Sequence, residues 1–270
     1  MDNTANISFH LDEAANVKLS FSNGIFRRCT LQENVAQVKQ LGFENIEFNM
    51  KSVETESDTS IHEADRLVAL SGLRCLTLHN GSLHVRDPVE VHRAVYYGKI
   101  SLDFARALKA PVMVVHSNIA RKLADSQRRD VLAEVFGEIT HYAKKLNVKL
   151  ALENLSYSSS GYGKNVAELE EILGVIDPAN EMGFTLDFCH AEATGQTDAL
   201  LDKYHGRLCN VHLSNRAHKP FMEPTERLFF LIEKLREYGY AGPLTLELSR
   251  KCTLEQIAQT KKVVETVLKH

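Results

Sequence analysis

No stretch of this chain approaches the roughly 18 consecutive apolar residues of a membrane-spanning helix, so a transmembrane protein is not expected. The opening Met1-Asp-Asn-Thr-Ala-Asn has neither the basic nor the apolar region of a secretory signal. Cysteine is sparse. Cys29, Cys75, Cys189, Cys209 and Cys252 are odd in number, widely scattered and never in a Cys-x-x-Cys pair. Reduced thiols and a cytoplasmic protein are the expectation. Charge of one sign is not in excess either: 32 Lys+Arg against 35 Asp+Glu leave a net charge of −3. That balance offers no general attraction to nucleic acid or to an anionic membrane. Low-complexity tracts and linkers are missing too.

What is present is an ordinary globular composition, 44% hydrophobic and 25% charged over 270 residues. The length is near that of one α/β barrel, about 250 residues, and also fits two small domains. From residue 17 onward, short apolar runs alternate with longer amphipathic ones. Strands are predicted over 17–22, 45–49, 73–79, 112–116, 148–154, 183–188, 208–213 and 244–248. Helices are predicted over 31–41, 61–71, 88–108, 126–146, 166–176, 197–204, 225–238 and 253–268. Asp87-Pro88 reads as a helix start, and Gly42 and Gly239 stand where a left-handed residue ends a helix. Eight alternating pairs argue for parallel βαβ units closing into a single-domain (β/α)8 TIM barrel over 17–270. Residues 1–16 are left as an N-terminal extension, a short plug or hairpin.

Four strands in the second half end in metal-competent side chains: Leu150-Ala-Leu-Glu153, Phe184-Thr-Leu-Asp187, Asn210-Val-His212 and Leu244-Thr-Leu-Glu247. The steps between those tips are 34, 25 and 35 residues, about one strand-plus-helix unit each. Because alternate strand residues face opposite sides, an inward Glu153, Asp187, His212 and Glu247 place Ala151, Thr185, Asn210 and Thr245 beneath them. The large apolar residues then face the helices. His79 (above Thr77) and His116 fall on the same inward parity, and strand two offers Glu47 and Asn49. A lone histidine at a strand end is usually structural. Three buried acids and a histidine at one mouth are hard to neutralise without a cation. Cys189 reads as a small apolar filler, Met113 and Phe188 as core, and Glu168-Leu-Glu-Glu171 as a solvated face.

Three carboxylates and one imidazole suit Mn²⁺ or Mg²⁺ and tolerate Zn²⁺ or Co²⁺. His79, His116 and His190 either complete a second, nitrogen-richer metal centre or bind substrate hydroxyls. A metal in an open site polarises a carbonyl, and two glutamates around it suit proton transfer at the adjacent carbon. The run Ser156-Tyr-Ser-Ser-Ser-Gly-Tyr-Gly-Lys164 reads as a mobile cover or a plain surface loop.

The Ala-Leu-Glu-Asn, Leu-Asp-Phe-Cys-His, Val-His-Leu-Ser and Leu-Glu-Leu segments resemble those of the xylose isomerase-like barrel superfamily, over roughly residues 17 to 268. That group includes ketose epimerases, inosose dehydratases, hydroxypyruvate isomerases and type IV apurinic endonucleases. The resemblance to its epimerase-like members implies one divalent ion on Glu153, Asp187, His212 and Glu247, with Glu153 and Glu247 as the acid/base pair. It implies substrate contact by His190 and by a basic residue after strand seven, Arg216 or His218. The expected activity is isomerisation or epimerisation of a sugar, sugar phosphate or related keto/hydroxy compound. The expected partner is a small carbohydrate rather than nucleic acid or membrane, and the relatives are often homo-oligomers.

The competing expectation within the group is a zinc-dependent, apurinic endonuclease-like phosphodiesterase. Its histidines match His79, His116 and His190, but its Asp-x-His pair after strand seven is replaced by Ser214-Asn-Arg-Ala-His-Lys-Pro-Phe-Met-Glu223. The loop Asn80-Gly-Ser-Leu-His-Val-Arg86 has no aromatic wedge for displaced DNA. A non-catalytic metal- or sugar-binding barrel is the third reading. A substrate phosphate would look to Lys164, Arg216 and Lys219 in the mouth loops.

Overall fold

The computed structural model describes residues 17–26, 28–53, 58–81 and 83–270; the N-terminal extension expected over 1–16 lies outside them. Eight strands are present: β1 (Lys18–Ser22), β2 (Asn45–Asn49), β3 (Arg74–His79), β4 (Val112–Val115), β5 (Lys149–Glu153), β6 (Gly183–Asp187), β7 (Leu208–Leu213) and β8 (Pro243–Leu246). Each pairs in parallel with the next, and β8 pairs back onto β1 through Leu19↔Leu244 and Phe21↔Leu246. The result is the closed (β/α)8 barrel that the alternation predicts, in one domain.

Nine α-helices lie among the described residues: α1 (Leu31–Gln40), α2 (Asp58–Ser71), α3 (Val91–Ala107), α4 (Asp125–Leu146), α5 (Val166–Ile176), α6 (Phe188–Thr194), α7 (Thr197–Tyr204), α8 (Glu226–Glu237) and α9 (Leu254–Val267). The sequence reading has eight. The extra one is α6, whose seven residues are too few to show a helical period. It starts because Asp187 Oδ1 accepts the His190 amide at 2.7 Å, and it stops at Gly195 with φ 64°. Capping boxes start α1 (Thr30 with Glu33) and α9 (Thr253 with Gln256). Gly42 and Gly239 do take left-handed φ, 77° and 64°. Pro88 opens a 3-10 turn over Pro88–Glu90, capped by Asp87, before α3 begins.

The strand parity sorts the chain into two environments. Leu78, Leu152, Phe184, Leu186, Val211, Leu244 and Leu246 point outward and pack in one core with helix residues such as Phe104, Phe136, Leu231 and Val264. Each such side chain contributes about 1.5–3 kcal/mol of burial. Inside the barrel, Ser20, Glu47, Thr77, Thr185, Asn210 and Thr245 are wholly buried and polar. Glu47 Oε2 accepts from Thr77 Oγ1 (2.8 Å) and Asn210 Nδ2 (3.1 Å), and Asn210 Oδ1 accepts from Thr245 Oγ1 (2.9 Å). A carboxylate enclosed this way is tolerated because it is hydrogen-bonded. Two expected strand tips fall one residue past their strands, since β4 ends at Val115 and β8 at Leu246. The Glu247 amide still donates to Leu213 O at 3.1 Å, which keeps that side chain aligned with β7.

Candidate metal centre

Parallel strands deliver their C-terminal ends to the same rim. Glu153 and Asp187 end β5 and β6, His212 is one residue from the end of β7, and Glu247 follows β8. One ligand atom from each of the four lies within 4.8 Å of those of the other three. His212 Nδ1 stands 3.2 Å from Glu153 Oε1 and 3.3 Å from Glu247 Oε2. The side chains of Glu153, Asp187 and His212 are 0%, 1% and 0% exposed, whereas Glu247 is 22% exposed. Glu247 is therefore the side of the centre open to an incoming molecule.

A surrounding layer orients these four. Glu47 Oε2 lies 2.9 Å from His212 Nε2, so that nitrogen donates and Nδ1 turns its lone pair to the centre. Asn154 clamps the Asp187 backbone in both directions, donating to its carbonyl (3.0 Å) and accepting from its amide (2.8 Å). His79 donates from Nδ1 to Asn80 O (2.9 Å) and sets Nε2 3.3 Å from Glu153 Oε2. His116 Nε2 approaches the same oxygen at 2.8 Å, outside hydrogen-bond geometry. The His79 and His212 rings stack with centroids 5.4 Å apart.

His190 and His218 form a second cluster with Asp187, again with ligand atoms within 4.8 Å of one another. His190 Nδ1 is 3.0 Å from Asn154 O, His218 Nδ1 is 3.2 Å from Glu247 O, and the two Nε2 atoms are 3.1 Å apart. Ala217 and His218 take φ of 60° and 52°, a strained backbone. It is held by the Ser249 amide on His218 O (2.7 Å) and by the His218 amide on Cys189 Sγ (3.4 Å). Cys189 is therefore more than the apolar filler expected of it. Arg216 is not part of the centre: it is exposed and lines a neighbouring cleft with Phe188, Glu192 and Arg227.

Electrostatics set the centre apart from the rest of the barrel. Burial pushes the Asp187 carboxyl well above its usual range, and the Glu153 and Glu247 charges add to that. Burial also acts on Glu153, but His116 and His212 beside it hold its carboxyl well below the ordinary range. Glu247 is held at about 2, because His212, His79 and His218 outweigh burial and the Glu153 charge. His212 is held well above its usual value; burial opposes this, and Glu47, Glu153 and Glu247 overcome it. Glu153 Oε1 and Oε2, Asp187 Oδ2 and His212 Nδ1 are buried with no hydrogen-bond partner among the described residues. Such orphaned atoms, from two carboxylates and an imidazole, converge with the Glu247 carboxylate and fit a divalent cation of the Mn²⁺ or Mg²⁺ kind and also Zn²⁺ or Co²⁺.

A sequence model of the xylose isomerase-like TIM barrel family matches residues 35–269. The chain belongs to this family. No protein with a curated description matches it significantly. The fold is shared with a solved D-tagatose 3-epimerase-like protein (TM-score 0.79, 19% identity, covering 94% of this chain and 97% of that one). It is shared also with apo 3-keto-D-glucoside 4-epimerase YcjR from E. coli (0.76, 17%, 93% and 99%) and with an IolI protein that carries a zinc atom (0.75, 19%, 93% and 98%).

Against that family background, one sequence expectation gains detail and one needs correction. The 156–164 run, expected as a mobile cover or a plain surface loop, is anchored at its C-terminal end while Tyr157 stands exposed. The Tyr162 hydroxyl donates to Glu171, and the Gly163 and Lys164 amides donate to Glu168 Oε2 at 2.8 and 3.0 Å. The same contacts turn Glu168 inward from the solvated face expected for it; it also pairs with Arg121 at 2.8 Å. Two residues of the surrounding layer carry little sequence signal. Glu47 shows only as an acid in the middle of a short strand, and Asn154 only as the neighbour of Glu153.

Proposed function

We propose that this chain is a divalent-metal-dependent isomerase or epimerase of a sugar or related keto/hydroxy compound, working in the cytoplasm. Glu153, Asp187, His212 and Glu247 would hold the ion. The observation that carries this reading is the set of orphaned buried donors meeting beside one partly open glutamate. The two epimerase or epimerase-like structures on the same fold agree with it. The bound ion supplies Lewis-acid polarisation of a substrate carbonyl, which acidifies the adjacent C–H.

The protein's own groups do the rest. Glu247, open to the mouth and held ionised, is the base that takes the carbon-bound proton. Glu153 is the second acid/base, with His79 Nε2 3.3 Å from its Oε2 to share a proton. His190 and His218, at the rim, contact the substrate's hydroxyls. Glu47 touches no substrate and fixes the His212 tautomer.

Elemental analysis of the purified protein, followed by ketose turnover with wild type and Glu247→Gln, tests the reading. The expected result is about one divalent ion per chain and a loss of turnover of at least 10²-fold in the variant. A wild-type protein that takes up no divalent ion under any loading condition ends it. The Asp187–His190–His218 cluster favours a second reading, a multi-zinc phosphodiesterase. Two or three zincs per chain, together with incision of an abasic-site duplex, would select that one.

A further inference from the structure

The one solvent-open member of the centre, Glu247, faces a cavity of about 260 Å³ on the β1, β2 and β8 side of the mouth. Among its lining residues are His218, Asn49, Lys51 and Arg250. Among the described residues that line it, Lys51 and Arg250 are the cations and Glu247 is the one acid. Among the described residues neither cation has an ion-pair partner, whereas Arg121, Arg128, Arg207 and Arg227 are each paired with a carboxylate.

Local structure fixes the backbone that carries each cation. Asn49 Oδ1 accepts the Lys51 amide at 3.0 Å and so starts the Met50–Ser52 turn that carries the lysine over the rim. Asn49 is itself fixed by its amide on Asn23 Oδ1 (2.7 Å), and Gly24 leaves the room: a Cβ there would come within 2.8 Å of Asn49 Cγ. Arg250 follows Ser249, whose amide is tied to His218 O. Of the three cations expected to meet a phosphate, Arg216 lines the separate cleft, Lys164 Nζ donates to Tyr157 O at 2.6 Å, and Lys219 is exposed and does not line this wall.

The charge balance gives this wall a purpose. The carboxylates of Glu153, Asp187 and Glu247 converge at the centre, whereas Lys51 and Arg250 line this wall, so the wall is where a negative substituent is best received. An anionic substituent is tolerated only at a distance and beside compensating cations. Building on the isomerase/epimerase reading, we propose that the substrate is an anionic sugar whose phosphate or carboxylate is bound by Lys51 and Arg250 while its carbonyl end reaches Glu247.

The test uses metal-loaded full-length protein and one set of ketoses in three forms: neutral, phosphate ester and sugar acid. One anionic form is expected to show kcat/KM at least tenfold above the neutral form, and which one names the group. Lys51→Met combined with Arg250→Gln should raise KM for that form at least tenfold, with a penalty on the neutral ketose several-fold smaller. Equal or better turnover of the neutral ketose, or an unchanged KM in the double variant, overturns the proposal. If metal binds but no ketose in any form turns over, the isomerase reading has failed, and the anion site is judged separately by calorimetry with inorganic phosphate. Binding that weakens at least tenfold in the double variant supports the site. Binding that is absent, or the same in both proteins, removes it.

Discussion

Glu47 collects three donors, Thr77, Asn210 and His212, on a single oxygen, Oε2. Glu47→Gln keeps the shape but places an amide where Oε1 has no partner. An unsatisfied buried donor costs about 1–3 kcal/mol, and the imidazole loses the charge that makes it a strong ligand. Metal affinity measured by competitive chelator titration should drop roughly 10- to 100-fold; an unchanged affinity removes Glu47 from the centre. A proton prediction belongs at this scale too. The Asp187 carboxyl is raised by burial and by Glu153 and Glu247, so without the ion it favours its protonated form. Binding must displace that proton, so affinity climbs with pH through the raised value and then levels off. Calorimetry in buffers of different ionisation enthalpy should register proton release. A heat that does not depend on the buffer contradicts the assignment.

At the scale of elements, α5 is more than a wall of the barrel, because its first turn carries the anchor of the 156–164 loop. Burial pushes Glu168 up, but the Lys164 and Gly163 amides and Arg121 pull its carboxyl below the usual 4.5. A depressed acid stabilises the folded state above its unfolded value and ceases to do so as pH falls through the folded one. Hydrogen exchange at Gly163 and Lys164 should therefore quicken, relative to its intrinsic rate, below about pH 4.5, and at all pH values in Glu168→Ala. Exchange that stays as slow in the variant as in wild type rules the anchor out.

These elements also show what could be read from the chain beforehand. The barrel and its four tips were legible because strand parity is local: two residues below each ligand stands the small or polar residue that an inward position requires. Helix α6 was hidden, because a seven-residue turn is specified by one cap rather than by a period. Glu47 was hidden because its meaning depends on His212, 165 residues away. Lys51 and Arg250 sit in loops, where no repeat says which way a side chain points.

For the whole molecule, a centre built from four strands would couple binding of the proposed ion to folding. A ligand that binds only the native state at 100 times its dissociation constant adds about 2.7 kcal/mol. For a chain of this size that corresponds to a rise in Tm of roughly 5–10 °C. Calorimetric scans with and without saturating Mn²⁺ should show this rise, and EDTA should reverse it; identical transitions would falsify native-state binding. Glu247 follows the last strand, and that strand is also the one that pairs with the first. A growing polypeptide therefore has no complete set of the four side chains to offer until its closing strand has left the ribosome. An ion held by those four side chains would meet a closed barrel rather than a nascent chain.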